Sequence, residues 1–414
     1  MITPSSASGS KPLGTKPSVT QPRALFLAAE APYPVIGGGA IRAASVLDYL
    51  AQRFSVHGIF FREPGSPDPV AAIPPGRLDR ADIVELPFHS KRPLARILRN
   101  VSRLARNRPP LIDRFSGFEA QIGGFLAGQR YEAAFIEQFW CAPYVDQVRA
   151  HARRVMVDLY NIESAWHESM ASAESGPLAW GHRRFALASL ASERRWLPKF
   201  DCVLTTSSGD ASLVRAIVTG VPVTVYPNAL PLIVPPPRSD RPEIVFSGNL
   251  EYAPNIQAVH FFHRNVWPAL QSRWPELKWK ILGKNPGPIR DLAARDPSIE
   301  VTGFVEDAVA VIAQAQVAVV PLLAGSGTRV KILEAWAAGT PVVSTTLGAE
   351  GLEFHDREHL VRADDAESFT AAVSELLALP VNRERIGAAG RRLYEERYTW
   401  PIAWKVLAEL LDSS

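Results

Sequence analysis

The stretch that decides the fold is residues 325–344, GSGTRVKILEAWAAGTPVVS. It predicts a loop of small residues, then a short helix, and then a Gly-Thr-Pro turn that leads into a β-branched strand. The apolar run at 317–323 comes just before the loop and predicts a buried strand. A glycine loop between a strand and a helix presents free backbone N–H groups at the positive end of the helix, which is a position that suits a phosphate group.

Three charged side chains follow this loop. Arg329 and Lys331 place cations beside the predicted phosphate position, and Glu334 lies about one helical turn further on. A carboxylate in such a position accepts hydrogen bonds from sugar hydroxyls. The simpler interpretation is an ordinary strand–loop–helix unit of a doubly wound domain, without a ligand.

The rest of the chain alternates short apolar runs with longer helical patterns, which predicts parallel sheets covered by helices. Predicted strands of the first half are 24–29, 56–61, 83–86, 133–137, 155–159 and 202–206. Those of the second half are 243–247, 278–282, 299–302, 317–321, 342–345 and 360–362. The fold class is therefore α/β, with two Rossmann-like, doubly wound domains that face each other across a cleft.

Composition changes mark the domain boundaries. Residues 1–22 are rich in Ser, Pro, Thr and Lys without the apolar core of a signal peptide, so we predict a disordered tail. The proline-rich and then polar stretch at 231–241 predicts a linker between an N-terminal domain at 23–230 and a C-terminal domain at 242–396. The last segment, 397–414, contains an amphipathic helical pattern.

The composition is that of an ordinary globular protein. Of 414 residues, 47% are hydrophobic and 21% are charged, and the net charge of +3 gives no argument for a nucleic-acid partner. Cys141 and Cys202 lie in apolar contexts without a CxxC pair, which predicts buried free thiols. We find no apolar run of about 18 residues, the length that a membrane-spanning helix needs, and no side-chain cluster with metal-ligand spacing.

The segment 325–344 resembles the donor-binding signature of the retaining GT-B glycosyltransferases of family 4. In that family, two glutamates stand eight positions apart, and the second is followed by Ala, a small residue, Gly and Pro-Val. Glu334 matches the second glutamate, whereas Ser326 stands in the place of the first. In this family the last helix crosses back onto the first domain, and 397–414 is expected to do so.

The resemblance implies a metal-independent hexosyltransferase without a cofactor, whose co-substrate is a nucleotide diphosphate sugar. It implies retention of the anomeric configuration and a glycan or lipid-linked acceptor, in cell-envelope or exopolysaccharide synthesis. The N-terminal domain would bind the acceptor and the C-terminal domain the nucleotide sugar. We expect a cytoplasmic protein. Two alternatives stay open: a non-catalytic nucleotide-sugar-binding protein of the same fold, and a sugar-nucleotide epimerase.

The resemblance also assigns site residues. The catalytic set is Arg329, Lys331 and Ser326, with the cations on the diphosphate and the serine near the donor sugar. The donor-binding set is Glu334, Gly325, Gly327, Thr328, Val330, Gly303, Phe304, Val305, Gly248, Asn249, Gly38 and Gly39, and the acceptor side holds Tyr160 and Asn161. For the glycines that follow the first strand, a flexible turn is the simpler interpretation, and for Phe304 it is ordinary packing.

Two positions depart from the family pattern. The loop 247–255 lacks the Arg and Lys with which many members hold the diphosphate, so we expect Arg329 and Lys331 to supply part of that charge. Many members carry a histidine where this chain has Tyr160, and a phenol cannot replace an imidazole near neutral pH. His167 follows two helical turns later, and we predict that it lies on a helix surface.

Arginines are abundant between residues 92 and 114. Such a run is usually a solvated helix face. The alternative is that it attracts anionic lipid headgroups or a phosphorylated acceptor, which would give a peripheral contact with the inner membrane face.

Overall fold

The structure is a computed structural model, and it describes residues 21–90, 92–239, 241–325 and 330–412. These residues form two parallel β-sheets that helices cover, as the α/β prediction requires. Cys141 and Cys202 are buried free thiols, as predicted.

The N-terminal sheet has the strand order β3-β2-β1-β4-β5-β6-β7, with every neighbouring pair parallel. Its strands are β1 (Arg23–Ala28), β2 (Ser55–Arg62), β3 (Arg80–Glu85), β4 (Tyr131–Glu137), β5 (Ala152–Asp158), β6 (Cys202–Thr205) and β7 (Val223–Val225). Its helices are α1 (Gly38–Arg53), α2 (Pro93–Ala105), α3 (Pro110–Phe115), α4 (Glu119–Leu126), α5 (Val145–Arg149), α6 (Glu163–Ala173), α7 (Gly176–Trp196) and α8 (Ser208–Ile217).

The C-terminal sheet has the order β10-β9-β8-β11-β12-β13 and is also parallel. Its strands are β8 (Arg241–Ser247), β9 (Lys278–Leu282), β10 (Ile299–Gly303), β11 (Ala315–Val320), β12 (Val342–Ser344) and β13 (Val361–Arg362). Its helices are α9 (Ala253–Asn265), α10 (Trp267–Arg273), α11 (Arg290–Arg295), α12 (Ala308–Ile312), α13 (Val330–Ala337), α14 (Ala366–Ala378) and α15 (Pro380–Arg397), and α16 (Trp400–Asp412) follows them.

The strand orders fix where ligands can bind. The chain direction across the sheet reverses between β1 and β4 in the first domain and between β8 and β11 in the second. Open parallel sheets bind ligands outside the carboxyl ends of the strands at such switch points. The residues that follow β1 and β4 in one domain, and β8 and β11 in the other, are therefore those that the fold brings to a site, and the end of β5 lies beside that of β4.

The last helix, α16, packs on the first domain, as expected. The indole Nε1 of Trp404 donates to the backbone carbonyl of Ser45 in α1 at 3.0 Å, and the guanidinium of Arg154 donates to the carbonyl of Leu410 at 2.8 Å. Between the sheet and α16, residues 41–50 of α1 are all buried. That burial explains why its central part is apolar around most of its circumference.

The chain crosses between the domains twice, and the two crossings lie side by side. The N–H of Leu230 donates to the carbonyl of Tyr398 at 3.0 Å, and the N–H of Trp400 donates to the carbonyl of Leu230 at 2.8 Å. Leu230 and Thr399 thus form a parallel bridge between the end of the first domain and the start of α16. The residue boundaries that we gave for the domains and the linker stay predictions.

Candidate functional site

The cleft brings the first residues of two helices together. Gly38 begins α1 in the N-terminal domain, and Val330 begins α13 in the C-terminal domain. A β-carbon added to Gly38 would lie 3.2 Å from Cγ2 of Val330, so a larger residue at position 38 would press against the side chain of Val330 across the cleft. The first turn of a helix has N–H groups without intrahelical partners and carries a partial positive charge. Two such helix ends therefore meet at one cleft, an arrangement that attracts an anion.

Lys331 places its ammonium group at the loop after β8. Its Nζ donates to Oδ1 of Asn255 at 2.7 Å and lies 4.5 Å from the ring centre of Phe246. A β-carbon on Gly248 would lie 3.0 Å from Lys331 Nζ and 2.8 Å from the amide nitrogen of Asn255. The loop 247–255 has no Arg or Lys of its own, so the α13 lysine brings a cation to it from outside.

Glu334 lies one turn after Lys331, at the carboxyl end of β8. The hydroxyl of Ser247, the last residue of β8, donates to Oε2 of Glu334 at 3.1 Å. Burial raises the pKa of Glu334, and the Ser247 hydrogen bond and the Lys331 charge partly oppose this rise. The structure therefore joins Lys331, Glu334 and the Gly248 loop, which the sequence placed together, into one patch of the cleft wall.

The other side of the glycine loop contacts Tyr160. A β-carbon on Gly39 would lie 3.3 Å from the ring of Tyr160, which follows β5. The hydroxyl of Tyr160 donates to Oε2 of Glu137 at 2.7 Å, and Glu137 is fully buried at the end of β4. The phenol ring is thus fixed beside the loop that opens α1.

Glu137 forms a buried acidic pair with Asp158, because the two residues are register partners at the ends of β4 and β5. Burial raises the pKa of Glu137 well above its usual value, and the neighbouring Asp158 charge raises it further. Burial also raises the pKa of Asp158, but there the guanidinium of Arg42 opposes the rise. We infer that Glu137 carries the proton of the pair. Its Oε1 atom is buried without a hydrogen-bond partner among the described residues.

Arg42 of α1 neutralises this cluster. Its guanidinium donates to both carboxylate oxygens of Asp158, at 2.7 and 2.5 Å, and also to the carbonyl of Tyr226 and to Oδ1 of Asn228. Arg42 is itself buried. It therefore links α1, β5 and the segment 226–228 to one another next to the glycine loop.

The remaining predicted donor residues differ in their surroundings. The side chain of Phe304, just after β10, is more than half exposed, so it does not serve as packing between a strand and a helix. Val305 is partly buried against the core, and Gly303 adopts a φ of +76° at the strand end. The Asn249 carbonyl accepts a hydrogen bond from the Asn255 side chain at 2.8 Å, which shapes the Gly248 loop.

Gly325 is the last residue of its loop that the structure describes, and it has a φ of +104°. The structure places Asn161 next to Tyr160, after β5. Four predicted residues, Ser326, Gly327, Thr328 and Arg329, lie outside the described residues, and their roles stay predictions.

The prediction that His167 lies on a helix surface is wrong. Helix α6 packs on α7, and His167 is only 5% exposed, with its Nδ1 atom 3.0 Å from Nδ1 of His182. Burial and the neighbouring His182 lower the pKa of His167 to about 4, so it is neutral at pH 7. It is a packed core histidine.

Sequence reasoning also missed Arg42, Glu137 and Asp158. The available signal was that two apolar runs, 133–136 and 155–157, are each followed directly by an acidic residue.

Among the described residues, no group of three or more His, Cys, Asp or Glu side chains is placed to hold a metal ion. The helices in the described ranges also fall short of the length and apolarity that a membrane crossing requires.

Two facing Rossmann-like domains with a returning final helix define the GT-B class, and solved structures share this fold over nearly the whole chain. Sucrose-phosphate synthase from Thermosynechococcus elongatus has a TM-score of 0.68 at 18% identity, with 95% of this chain and 100% of that chain covered. Anabaena HepE in complex with UDP and glucose has a TM-score of 0.66 at 12% identity, with the same coverage. At these identities the likeness concerns the fold.

Residues 241–379, which form most of the C-terminal domain, match the family Glycosyl transferases group 1. Phosphatidyl-myo-inositol mannosyltransferase of Mycobacterium leprae is 38% identical over 108 residues, which are 25% of this chain and 29% of that protein. MMP alpha-(1->4)-mannosyltransferase of Mycolicibacterium hassiacum is 36% identical over 98 residues, 23% of this chain and 24% of that protein. The matched region thus spans less than a third of either relative.

Proposed function

We propose that this protein is a glycosyltransferase that moves a hexosyl group from a nucleotide diphosphate sugar to a glycan or lipid-linked acceptor. The observation that carries the proposal is the meeting of two helix N-termini, at Gly38 and Val330, beside the ammonium of Lys331. A diphosphate is the anion that such a cleft fits. The match of residues 241–379 to the group 1 glycosyltransferases and the two partly similar mannosyltransferases support a hexose donor.

The proposed reaction stabilises a leaving group. As the bond between sugar C1 and the diphosphate oxygen breaks, negative charge accumulates on the diphosphate, where the helix ends and Lys331 face it. The acceptor oxygen forms the new bond to C1, and a phosphate oxygen of the leaving group takes the acceptor proton. We propose that the anomeric configuration is retained and that no metal ion takes part. Interactions that strengthen as the charge develops raise the rate rather than only the affinity.

We assign Glu334 to the nucleotide ribose. Its carboxylate accepts a hydrogen bond from Ser247 at the carboxyl end of β8 and lies near the charge of Lys331. Tyr160, fixed by Glu137, would contact the sugar or the acceptor from the opposite wall. The acceptor would belong to cell-envelope or exopolysaccharide synthesis, and the mycobacterial relative whose name specifies phosphatidyl-myo-inositol supports a lipid-linked one. We place the protein in the cytoplasm, with peripheral contact to the membrane.

A panel of UDP-, GDP- and dTDP-sugars tests this function. A donor present at about a hundredfold excess over its Kd stabilises the folded state by about 2.7 kcal/mol, which a thermal-shift assay detects readily. Release of the nucleoside diphosphate with a glycan or lipid acceptor then measures turnover. If no nucleotide sugar in the panel raised the Tm, the proposed donor site would be wrong.

Turnover separates the enzyme from a non-catalytic binding protein. Two features favour the binding protein: Ser326 stands where the family has a glutamate, and the Tyr160 hydroxyl is occupied by Glu137. A binding protein would show the thermal shift without release of nucleoside diphosphate at any acceptor concentration.

A further inference from the structure

Helix α2 has its apolar face turned to solvent. Leu94, Ile97, Leu98 and Val101 follow the spacing i, i+3, i+4, i+7, which places them on one side of a helix. Their side chains are 57% to 69% exposed. An ordinary surface helix buries this stripe against the protein, so α2 presents the reverse arrangement.

The opposite face of α2 carries arginines, and part of it packs on the protein. Arg103 is buried and donates from Nε to Oδ2 of Asp113 at 2.9 Å. The guanidinium of Arg99 donates to the carbonyl of Ser90 at 2.8 Å. The inside-out orientation of α2 is therefore fixed by specific contacts of its charged side and does not come from a lack of contacts.

The charged side chains of α2 and of the residues that flank it are all positive, and their acidic partner Asp113 comes from α3. Residues 87–112 contain six arginines and neither Asp nor Glu. Arg92, Arg96 and Arg106 are exposed. The same potential acts on His89, whose pKa is lowered by burial and by the charges of Arg114, Arg99 and Arg103.

Helix α7, which packs against α2, repeats the combination. Trp180 and Leu187 lie seven residues apart on one face and are both more than half exposed. Four arginines of α7 are exposed as well: Arg183, Arg184, Arg194 and Arg195. Glu193, the acid in this helix, is buried and bound to Ser164. Two neighbouring helices thus offer exposed apolar side chains among cations.

We propose that α2, together with the exposed face of α7, is a binding surface for a lipid bilayer that contains anionic lipids. At such a bilayer, the apolar side chains would insert at the level of the headgroups and leave water, and the arginines would lie beside the lipid phosphates. A soluble polyanion would leave the apolar stripe exposed. A second copy of this chain would bring two arginine-rich stretches against each other. The inference deepens the proposed function by naming the partner surface, and it requires no transfer activity.

Co-sedimentation of the full chain with vesicles tests the proposal. We expect binding to phosphatidylcholine vesicles that contain phosphatidylglycerol and little binding to pure phosphatidylcholine. Binding should weaken between about 0.1 M and about 1 M salt, because the Debye length falls from about 10 Å to about 3 Å. Equal binding to both kinds of vesicle, or to neither, would overturn the proposal.

A double variant, Ile97→Glu with Leu98→Glu, tests the apolar stripe. We expect its vesicle affinity to fall roughly tenfold or more, since two carboxylates then face an anionic surface. Val381→Glu is the matched control, because Val381 is also highly exposed but lies on α15 in the other domain. Retention of binding by the double variant would refute the assignment. So would a wild-type dimer in sedimentation equilibrium that the double variant does not form, because the face would then be a contact between copies.

Nucleotide binding without vesicles keeps the two proposals separate. The double variant should show the same thermal shift with the best nucleotide sugar as the wild type, because Ile97 and Leu98 are exposed to solvent and are not among the residues assigned to the donor site. If the wild-type protein did not bind vesicles but a nucleotide sugar still raised its Tm, only the proposed membrane surface would be overturned. The converse result would overturn only the donor site.

Discussion

Replacement of Lys331 by methionine tests the electrostatic basis of the proposed site. Methionine keeps an apolar side chain of similar length and removes the ammonium, which donates to Asn255 at 2.7 Å and lies 4.5 Å from the ring centre of Phe246. The loop 247–255 has no Arg or Lys of its own, so the variant removes the cation that α13 supplies to this loop. The change therefore removes one charged donor and little packing.

The expected magnitude follows from the role of that donor. A single preorganised donor to a developing oxyanion contributes about 3 kcal/mol to the transition state, and about 1.4 kcal/mol corresponds to a tenfold change in rate. We therefore expect kcat/KM to fall by roughly 100- to 200-fold. Most of the loss should appear in kcat, because the charge on the diphosphate grows as the C1–O bond breaks. Asn255 loses one partly buried hydrogen bond, so the free energy of unfolding should fall by about 1 kcal/mol or less.

The assay is release of nucleoside diphosphate as a function of donor concentration, with wild type, Lys331→Met and Lys331→Arg measured together. The control is Lys405→Met, which removes an exposed lysine from α16. We expect Lys331→Arg to retain part of the activity, since it keeps the charge with a different geometry. If folded Lys331→Met turned over the donor with wild-type kcat/KM, the leaving-group role of this lysine would be refuted.

Three further predictions test the surroundings of the site. Gly38→Val should raise the donor KM with little change in Tm, because a β-carbon there already lies 3.2 Å from Val330; an unchanged KM would show that this contact does not limit the cleft. Arg42→Ala should lower the free energy of unfolding by about 3 to 5 kcal/mol in urea denaturation, because it leaves the buried Asp158 without its partner. Burial raises the pKa of Glu163 to about 7, so the folded state holds a proton that the unfolded state releases near pH 4.5, and stability should fall by roughly 3 kcal/mol as the pH rises through this range. Glu163→Gln should flatten that part of the stability–pH curve, and an unchanged slope would contradict the assignment.

The sequence predicted most of the strands because parallel strands buried on both faces are continuous apolar runs. Strand β7 was missed, since Val223–Val225 has only three residues in a proline-rich stretch and is stabilised by its pairing with β6. Helix α2 was expected in its general form, as a charged helix. Which of its faces points outward depends on Asp113 and Ser90, which no periodicity can indicate.

The site was predictable where it is local in sequence. Lys331 and Glu334 follow a glycine loop on one helix, and their spacing alone places them on one side. Glu137 and Asp158 meet only through the register of β4 and β5, and Arg42 reaches them from a third element. His167 was misjudged because the packing of α6 on α7, and not helical spacing, determines its burial. Long-range register and helix packing are the information that one sequence does not provide.

The paired crossings at Leu230 and Thr399 limit how the two lobes can move. Two backbone hydrogen bonds hold the two crossing segments together, so we expect the lobes to pivot about this point. Any opening is then a swing about that pivot, with the largest displacement at the point most distant from it. We expect a bulky substrate to enter the cleft when the angle between the two domains widens, while the site residues within each domain keep their arrangement.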